Sequence, residues 1–296
     1  MMRVGFVGLG RMGAPMATNV LSSGFPVSAY DVDGEAVEQL ARKGATPARS
    51  PAEAAGRADV LVTMLPGPPQ IEAAMLGADG ALAAMRPGSA WIDMSSSNAT
   101  TARRVIDAAG SARLAVIDAP VTGGVPGALE GTLQIFVGGE KEVFERHLPV
   151  LKAMGDSDRI FHVGGQGAGY AVKLCLNLLF FIHVAAGAEV LALGTKAGVD
   201  LDVLHRLLVG SGASSRFLER DVLSVFEGDY REYFRLELAC KDLGLAVELG
   251  RENGVPLEVS ALVEQIHRRA LAQYGDGGQL FAVRLMEDLT QISLRT

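Results

Sequence analysis

The chain has 296 residues, 49% of them hydrophobic and 21% charged, enough apolar material for a globular protein of two domains. A formal charge of −7, with no runs of lysine or arginine, argues against nucleic acid or an anionic membrane as the main partner. Cys175 and Cys240 build no disulfide framework and suit a reducing, cytoplasmic setting, and the glycine turn at Gly8 comes too early to leave room for a secretory signal.

Residues 3–7 are a short apolar run, followed at once by Gly8-Leu9-Gly10-Arg11-Met12-Gly13 and then by helical spacing over 14–23. In a strand–turn–helix setting the three glycines serve different ends. The first makes the tight turn, the second lets backbone approach a pyrophosphate, and the third lets helix and strand pack closely. N–H groups at the helix start then meet the phosphates, which makes 8–13 a candidate dinucleotide site. Gly24 ends that helix, 25–30 reads as a second strand, and Asp31 follows where a ribose-binding acid belongs. A carboxylate there accepts from ribose hydroxyls and repels a 2′-phosphate, and neither Val32 nor Asp33 is a compensating cation, so NAD is expected over NADP. The other reading of Asp31 is simply the start of a turn through Gly34.

Helices are then expected over 35–43, 52–57, 69–76, 101–109 and 141–154, and strands over 59–65, 90–94, 114–119, 133–137 and 160–163. This alternation predicts an α/β, Rossmann-type doubly wound sheet. Ligands of such sheets lie beyond the C-terminal ends of the strands, which gathers Leu65-Pro66, Ser95-Ser96 and Thr122-Gly123-Gly124 around the glycine turn. The last of these has two glycines with bare N–H groups and a hydroxyl, suited to a substrate carboxylate; a turn needing glycine only for its backbone angles is the alternative.

A glycine-rich approach at 165–169 leads into an apolar, proline-free stretch over 170–196 that reads as one helix. At roughly 1.5 Å per residue it would be about 40 Å long, more than one domain covers. Being apolar on nearly all sides it is expected to be buried on nearly all sides, between domains or against a partner subunit. It is long enough to span a membrane, but Asn177, His183 and Glu189 interrupt it. Lys173 and Asn177 lie one turn apart on one face and are the expected reaction centre. Beyond Gly198 only helical periodicity is found, over 202–208, 216–225, 234–251, 257–273 and 279–289, an all-α domain in which Lys241 and Asp242 interrupt an apolar face. The domain division is therefore 1–163 for the dinucleotide, 164–198 for the interdomain helix, and 199–296 for substrate and oligomer contacts. The five histidines have no ligand spacing, so no metal site is expected.

Four strings in order carry a resemblance: 8–19 with its glycines, Asp118-Ala119-Pro120-Val121-Thr122-Gly123-Gly124, Gly167-x-Gly169-x-x-x-Lys173-x-x-x-Asn177, and Lys241-Asp242-Leu243-Gly244. Over essentially its whole length the chain resembles the β-hydroxyacid dehydrogenases, the group containing 3-hydroxyisobutyrate dehydrogenase and tartronate semialdehyde reductase. The resemblance implies Lys173 as general acid/base, Asn177 as the residue orienting substrate, Thr122 to Gly124 as the holder of a small carboxylate, and Lys241 close to cofactor and substrate. It also implies Leu65 and Ser96 at the cofactor, and a homodimer or homotetramer formed through the all-α domain. Serine is common in the family where Thr122 stands, and asparagine where Leu176 stands, so substrate identity does not carry over. Apolar neighbours of Lys173 are expected to lower its pKa. An imine reductase of the same fold and a non-catalytic NAD-binding module are the rival readings; relatives of the first generally lack the lysine, and the second would be expected to have lost it or the Thr122 turn.

Overall fold

Short, largely apolar strands alternate with helices from the start of the chain. In chain order they are β1 (Val4–Val7), α1 (Gly13–Ser22), β2 (Val27–Tyr30), α2 (Gly34–Ala41), β3 (Thr46–Pro47), α3 (Pro51–Gly56), β4 (Val60–Thr63), α4 (Pro68–Leu76), α5 (Ala81–Ala84), β5 (Ala90–Asp93) and α6 (Ala99–Ala109). There follow β6 (Ala115–Asp118), β7 (Val121–Thr122), α7 (Gly124–Glu130), β8 (Leu133–Gly139), α8 (Lys141–Lys152) and β9 (Gly155–Gly164). The computed structural model describes residues 2–109, 114–230 and 234–296, and the chain divides into the units Met1–Lys173 and Leu174–Thr296.

The first unit is a nine-stranded sheet in the order β3-β2-β1-β4-β5-β6-β8-β7, with β9 beside β8. The run from β3 to β6 is parallel throughout, β8 is antiparallel to β6 and β7, and β9 is parallel to β8. Strand order reverses at β1, flanked by β2 on one side and β4 on the other, and ligands of open α/β sheets sit beyond the strand ends at such a point. Alternate residues feed two cores: Val60, Val62 and Ile92 pack with Met16 and Val20 of α1 and Val150 of α8, while Leu61 and Trp91 pack with Ile71 of α4 and Val105 of α6.

Four short elements carry no expectation from the sequence: β3, α5, β7 and α7. Two residues give a strand no period to read, and α7 holds Gly124, Pro126 and Gly127, poor helix formers in any propensity sum. β9 starts at Gly155, five residues before the apolar run at Ile160, because its first half is polar and half-exposed backbone pairing to β8 needs no apolar side chains.

The second unit is helical in all its described elements. The helix α9 (Ala168–Lys196) runs into it from the first unit and is followed by α10 (Leu201–Val209), a π-helical turn (Phe217–Asp221), α11 (Val222–Phe226), α12 (Leu236–Glu252), α13 (Glu258–Tyr274) and α14 (Phe281–Thr290). The single helix expected over 216–225 is thus a π turn continued by a short α-helix; the Phe217 ring lies on Gly187, where an added Cβ would come within 2.6 Å of it. Val184, Ala188 and Leu191 of α9 join one core with Phe217, Val222 and Val283, and Phe181 and Ala185 join another with Ala239, Leu243 and Val263. This chain alone does not bury α9 on all sides: Leu176, Leu179, Val190 and Leu193 are 45%, 53%, 42% and 70% exposed. Only its inner face is covered by this chain.

His267 of α13 is wholly buried with its ring edge-on to Phe181. One ring nitrogen meets the carbonyl of Val263 at 2.9 Å, and Nε2 finds no partner among the described residues. Burial disfavours the charged ring and pushes its pKa down to about 4. The unfolded chain takes up that proton near pH 6.5, so it binds more protons than the folded chain between those values and stability falls as pH drops through the window. Between pH 7 and pH 5 the wild type should lose roughly 2 kcal/mol more than His267→Gln in urea unfolding. Parallel stability–pH curves for the two would refute this.

Candidate active site

β1 ends at Val7 and the chain turns at Gly8, whose φ is +98°. A Cβ on Gly8 would lie 2.2 Å from the carbonyl oxygen of Met64, and one on Gly13 would lie 1.9 Å from that of Gly8, so both glycines are demanded by packing inside the chain. Gly10 differs. A Cβ there would meet nothing within 4 Å, and the residue is exposed. No contact within the chain requires glycine there, and the bare backbone leaves room for a ligand to approach closely. α1 begins just beyond, with no side-chain cap from Met12, so its first N–H groups suit an anion. Leu9 is buried and Arg11 exposed.

Asp31 follows β2. Its Oδ2 accepts the N–H of Leu9 at 2.5 Å and its Oδ1 that of Asp33 at 2.8 Å, which fixes the carboxylate beside the glycine turn. Each oxygen keeps a further lone pair for a hydroxyl donor. Leu65 and Pro66 follow β4, and Ser96 follows β5, half-buried. The Leu65 N–H donates to Ser95 Oγ at 2.9 Å. Thr122 closes β7, and Gly123 and Gly124 both have positive φ, +129° and +62°, conformations that favour glycine whatever binds there.

Two strand-end carboxylates meet the start of α9. Asp93 and Asp118 are cross-strand partners at the C-terminal ends of β5 and β6, and both are fully buried. Asp118 accepts the N–H groups of Gly167 at 2.7 Å and Tyr170 at 3.0 Å, and Asp93 accepts the Tyr170 hydroxyl at 2.6 Å. Desolvation pushes both carboxyls above the usual range, against the donors that favour the anion. Lys173 comes three residues after Tyr170 and is 8% exposed.

In the second unit Asn177 Nδ2 donates to Asp242 Oδ2 at 2.6 Å, and Lys241 Nζ pairs with Asp242 Oδ1 at 2.9 Å. Asp242 is 1% exposed and stands between the two residues expected at the site. The structure therefore joins Leu9 to Asp31, Leu65 to Ser95, and, through Asp242, Asn177 to Lys241. Asp242, Asp93 and Tyr170 have no role assigned from the sequence. The available signal is an acid interrupting an apolar helix face in the first case, and an acid ending an apolar strand in the second.

The chain also has relatives. A family model described as the NAD binding domain of 6-phosphogluconate dehydrogenase matches residues 3–164, and one described as NAD-binding of NADP-dependent 3-hydroxyisobutyrate dehydrogenase matches residues 167–285. A 2-(hydroxymethyl)glutarate dehydrogenase of Eubacterium barkeri is 36% identical, the alignment covering 99% of this chain and 97% of that one. An NAD-dependent L-serine dehydrogenase of Pseudomonas aeruginosa is 37% identical over 98% and 99%. This chain belongs to the β-hydroxyacid dehydrogenase family. Among solved structures, a 3-hydroxyisobutyrate dehydrogenase of Mycobacterium tuberculosis with L-serine superposes with a TM-score of 0.87 at 32% identity, covering 98% of this chain and 99% of that one. A member of this family is a nicotinamide-dependent oxidoreductase, and the Rossmann-type sheet followed by a helical unit is the family's fold.

Gly10 and Gly13 allow cofactor binding and folding to be tested apart. Gly10→Ala should leave the melting temperature unchanged while weakening NAD binding by about tenfold or more. Gly13→Ala should lower both, because its methyl has no room. Full NAD affinity in Gly10→Ala, measured by titration calorimetry, would remove Gly10 from the cofactor site.

Proposed function

We propose that this protein oxidises a small β-hydroxyacid to the corresponding semialdehyde, or reduces it in reverse, with NAD as cofactor and Lys173 as proton carrier. The observation that carries the reading is a lysine held 8% exposed on an apolar helix, with Asn177 one turn further along. When bound, the nicotinamide would supply the hydride acceptor, or in reverse the donor, for the carbinol carbon. Lys173 Nζ takes the hydroxyl proton as the carbonyl forms and gives it back in the opposite direction. Asn177, tethered by Asp242, orients the substrate. Thr122, Gly123 and Gly124 hold its carboxylate, and Lys241 lies close to cofactor and substrate. Gly8 to Gly13, Asp31, Leu65, Pro66 and Ser96 hold the dinucleotide. On this reading residues 1–163 bind the cofactor, 164–198 carry the proton chemistry, and 199–296 complete the substrate and oligomer contacts.

The relatives' names support the substrate class. 2-(Hydroxymethyl)glutarate, L-serine and 3-hydroxyisobutyrate all place a hydroxymethyl group on the carbon next to a carboxylate. Asp31 supports NAD over NADP: its carboxylate, fixed by two N–H donors, is matched to ribose hydroxyls and repels a 2′-phosphate. The free thiols Cys175 and Cys240 support a cytoplasmic setting. With a panel of such hydroxyacids and both dinucleotides, turnover should favour NAD, and Lys173→Ala should lower it on the order of 10²-fold or more while NAD still binds. Near-normal turnover in that variant would sink the reading.

A second copy of the chain is the proposed cover for the outer face of α9. Leu176, Leu179, His183, Ala186, Val190 and Leu193 succeed one another at alternating spacings of three and four, the seam of a helix that pairs with another helix. Four large exposed apolar side chains on one face are more than an isolated surface helix carries by chance. Sedimentation should show a dimer or tetramer, and Leu179→Glu with Leu193→Glu should shift it to monomer with the helical circular dichroism retained. A monomeric wild type would refute this arrangement.

A further inference from the structure

A chain of hydrogen bonds runs through the first unit from the loop after β4 to the helix that carries Lys173. It begins at the N–H of Leu65, which donates to Ser95 Oγ at 2.9 Å. Ser95 Oγ donates in turn to Asp93 Oδ1 at 2.6 Å, and Thr63 Oγ1 donates to the same oxygen at 2.7 Å. The other carboxylate oxygen of Asp93 takes the Tyr170 hydroxyl at 2.6 Å. Thr63, Asp93 and Ser95 are fully buried, and Tyr170 is 2% exposed.

Tyr170 packs among Leu61, Ile71, Trp91 and Val105, a setting in which phenylalanine would satisfy the core equally well. A buried hydroxyl is costly without a partner, so the Tyr170–Asp93 bond accounts for the extra oxygen. The backbone of the same residue is held separately, by Asp118. Tyr170 is thus fixed at both ends, and Lys173 sits three residues on, on the same side of α9. On the proposed function, Leu65 and Ser96 border the dinucleotide. Leu65 is itself the first member of the chain, and Ser96 follows Ser95 directly.

We propose that Tyr170 is a positioning residue that ties the dinucleotide-bordering loops after β4 and β5 to the placement of Lys173. This rests on the reading of Lys173 as proton carrier. Dinucleotide contacts at Leu65 and Ser96 set the position of Ser95, Ser95 and Thr63 set Asp93, and Asp93 holds the ring from which the next helical turn proceeds. Hydrogen-bonded groups linked this way act as a unit, so cutting the chain at either end has the consequence of cutting it once.

The molecule supplies its own probe. Trp91 is the sole tryptophan of the sequence, and its Nε1 donates to Thr63 Oγ1 at 2.9 Å, inside the same network. Saturation with oxidised NAD, which does not quench by energy transfer as the reduced form does, should change Trp91 emission in the wild type. In Tyr170→Phe the emission change should fall to about half or less while NAD affinity stays within about threefold of wild type. Turnover should fall about tenfold with substrate KM unchanged, since a displaced proton carrier slows chemistry without weakening binding. Ser95→Ala cuts the chain without touching α9 and should reproduce both effects, and the double variant should be no slower than the slower single one. Ser95→Ala alone decides the matter should Tyr170→Phe fail to fold. A wild-type Trp91 response and turnover in the variants, multiplicative losses in the double variant, or loss of NAD binding in Tyr170→Phe would each overturn the proposal. Because the emission response needs no turnover, a fully active Lys173→Ala would sink the proton-carrier reading through kinetics alone and leave the Trp91 result to be judged separately.

Discussion

A carboxylate at the end of β6 decides where the longest helix of this protein begins. The first N–H groups of any helix lack partners within it, and Asp118 supplies acceptors for those of Gly167 and Tyr170 from a fully buried position. Removing a carboxylate from water is unfavourable, but here several N–H groups and the positive end of a 29-residue helix converge on it. The fit leaves no space around the acid. A Cβ on Gly169 would come within 2.7 Å of Asp118 Oδ2, and one on Gly138 within 2.6 Å of the same oxygen. Gly167 meets the other side of the joint, with a φ of +90° and Ala99 2.8 Å from its absent Cβ. Two glycines from different elements, Gly138 of β8 and Gly169 of α9, therefore answer to one buried acid.

The second unit repeats the device with another acid. Asp242 is buried and gathers the Asn177 amide and the Lys241 ammonium, which otherwise lie on separate helices. Lys241 keeps 23% of its side chain exposed, so the pair is only partly removed from solvent screening. Its value is geometric: truncating the acid would leave an asparagine amide near the core without its acceptor, which costs about 1–3 kcal/mol. In both units a buried acid holds the element that carries the candidate site residues.

How much of this is legible in the sequence follows from what each feature imposes on its neighbours. The parallel strands β1, β4 and β5 are readable because strands buried on both faces are continuous apolar runs closed by turn residues. The glycine turn is readable because its consequences are local, and Lys173 and Asn177 because a cation and an amide stand out on a greasy helix. Asp93 and Asp118 are not, since an aspartate after a short apolar run looks like any strand end until the register sets the two side by side. Asp242 beside Lys241 reads as a surface ion pair; its partner Asn177 is 65 residues away, and no local pattern announces that distance. The exposed face of α9 escapes the sequence for a related reason. Composition states that a helix is apolar all round, and it does not state how many separate bodies cover it.

That face bears on how the helix can do two jobs. Its first turn is pinned by Asp118 and Asp93, whose hydrogen bonds are directional and fix position closely. Its remaining turns are held by apolar contact, which is stronger in sum but indifferent to direction. Phe181, Val184, Ala188 and Leu191 face the core of the second unit, and Leu176, Leu179, Val190 and Leu193 face away from it. Fully burying a leucine or valine is worth about 1.5–3 kcal/mol, so covering what remains of those four would add several kcal/mol to a helix already anchored at its start. Lys173 and Asn177 fall where the directional anchoring has just ended and the apolar contact is beginning. The backbone that carries Lys173 follows directly on a turn whose position Asp118 and Asp93 set.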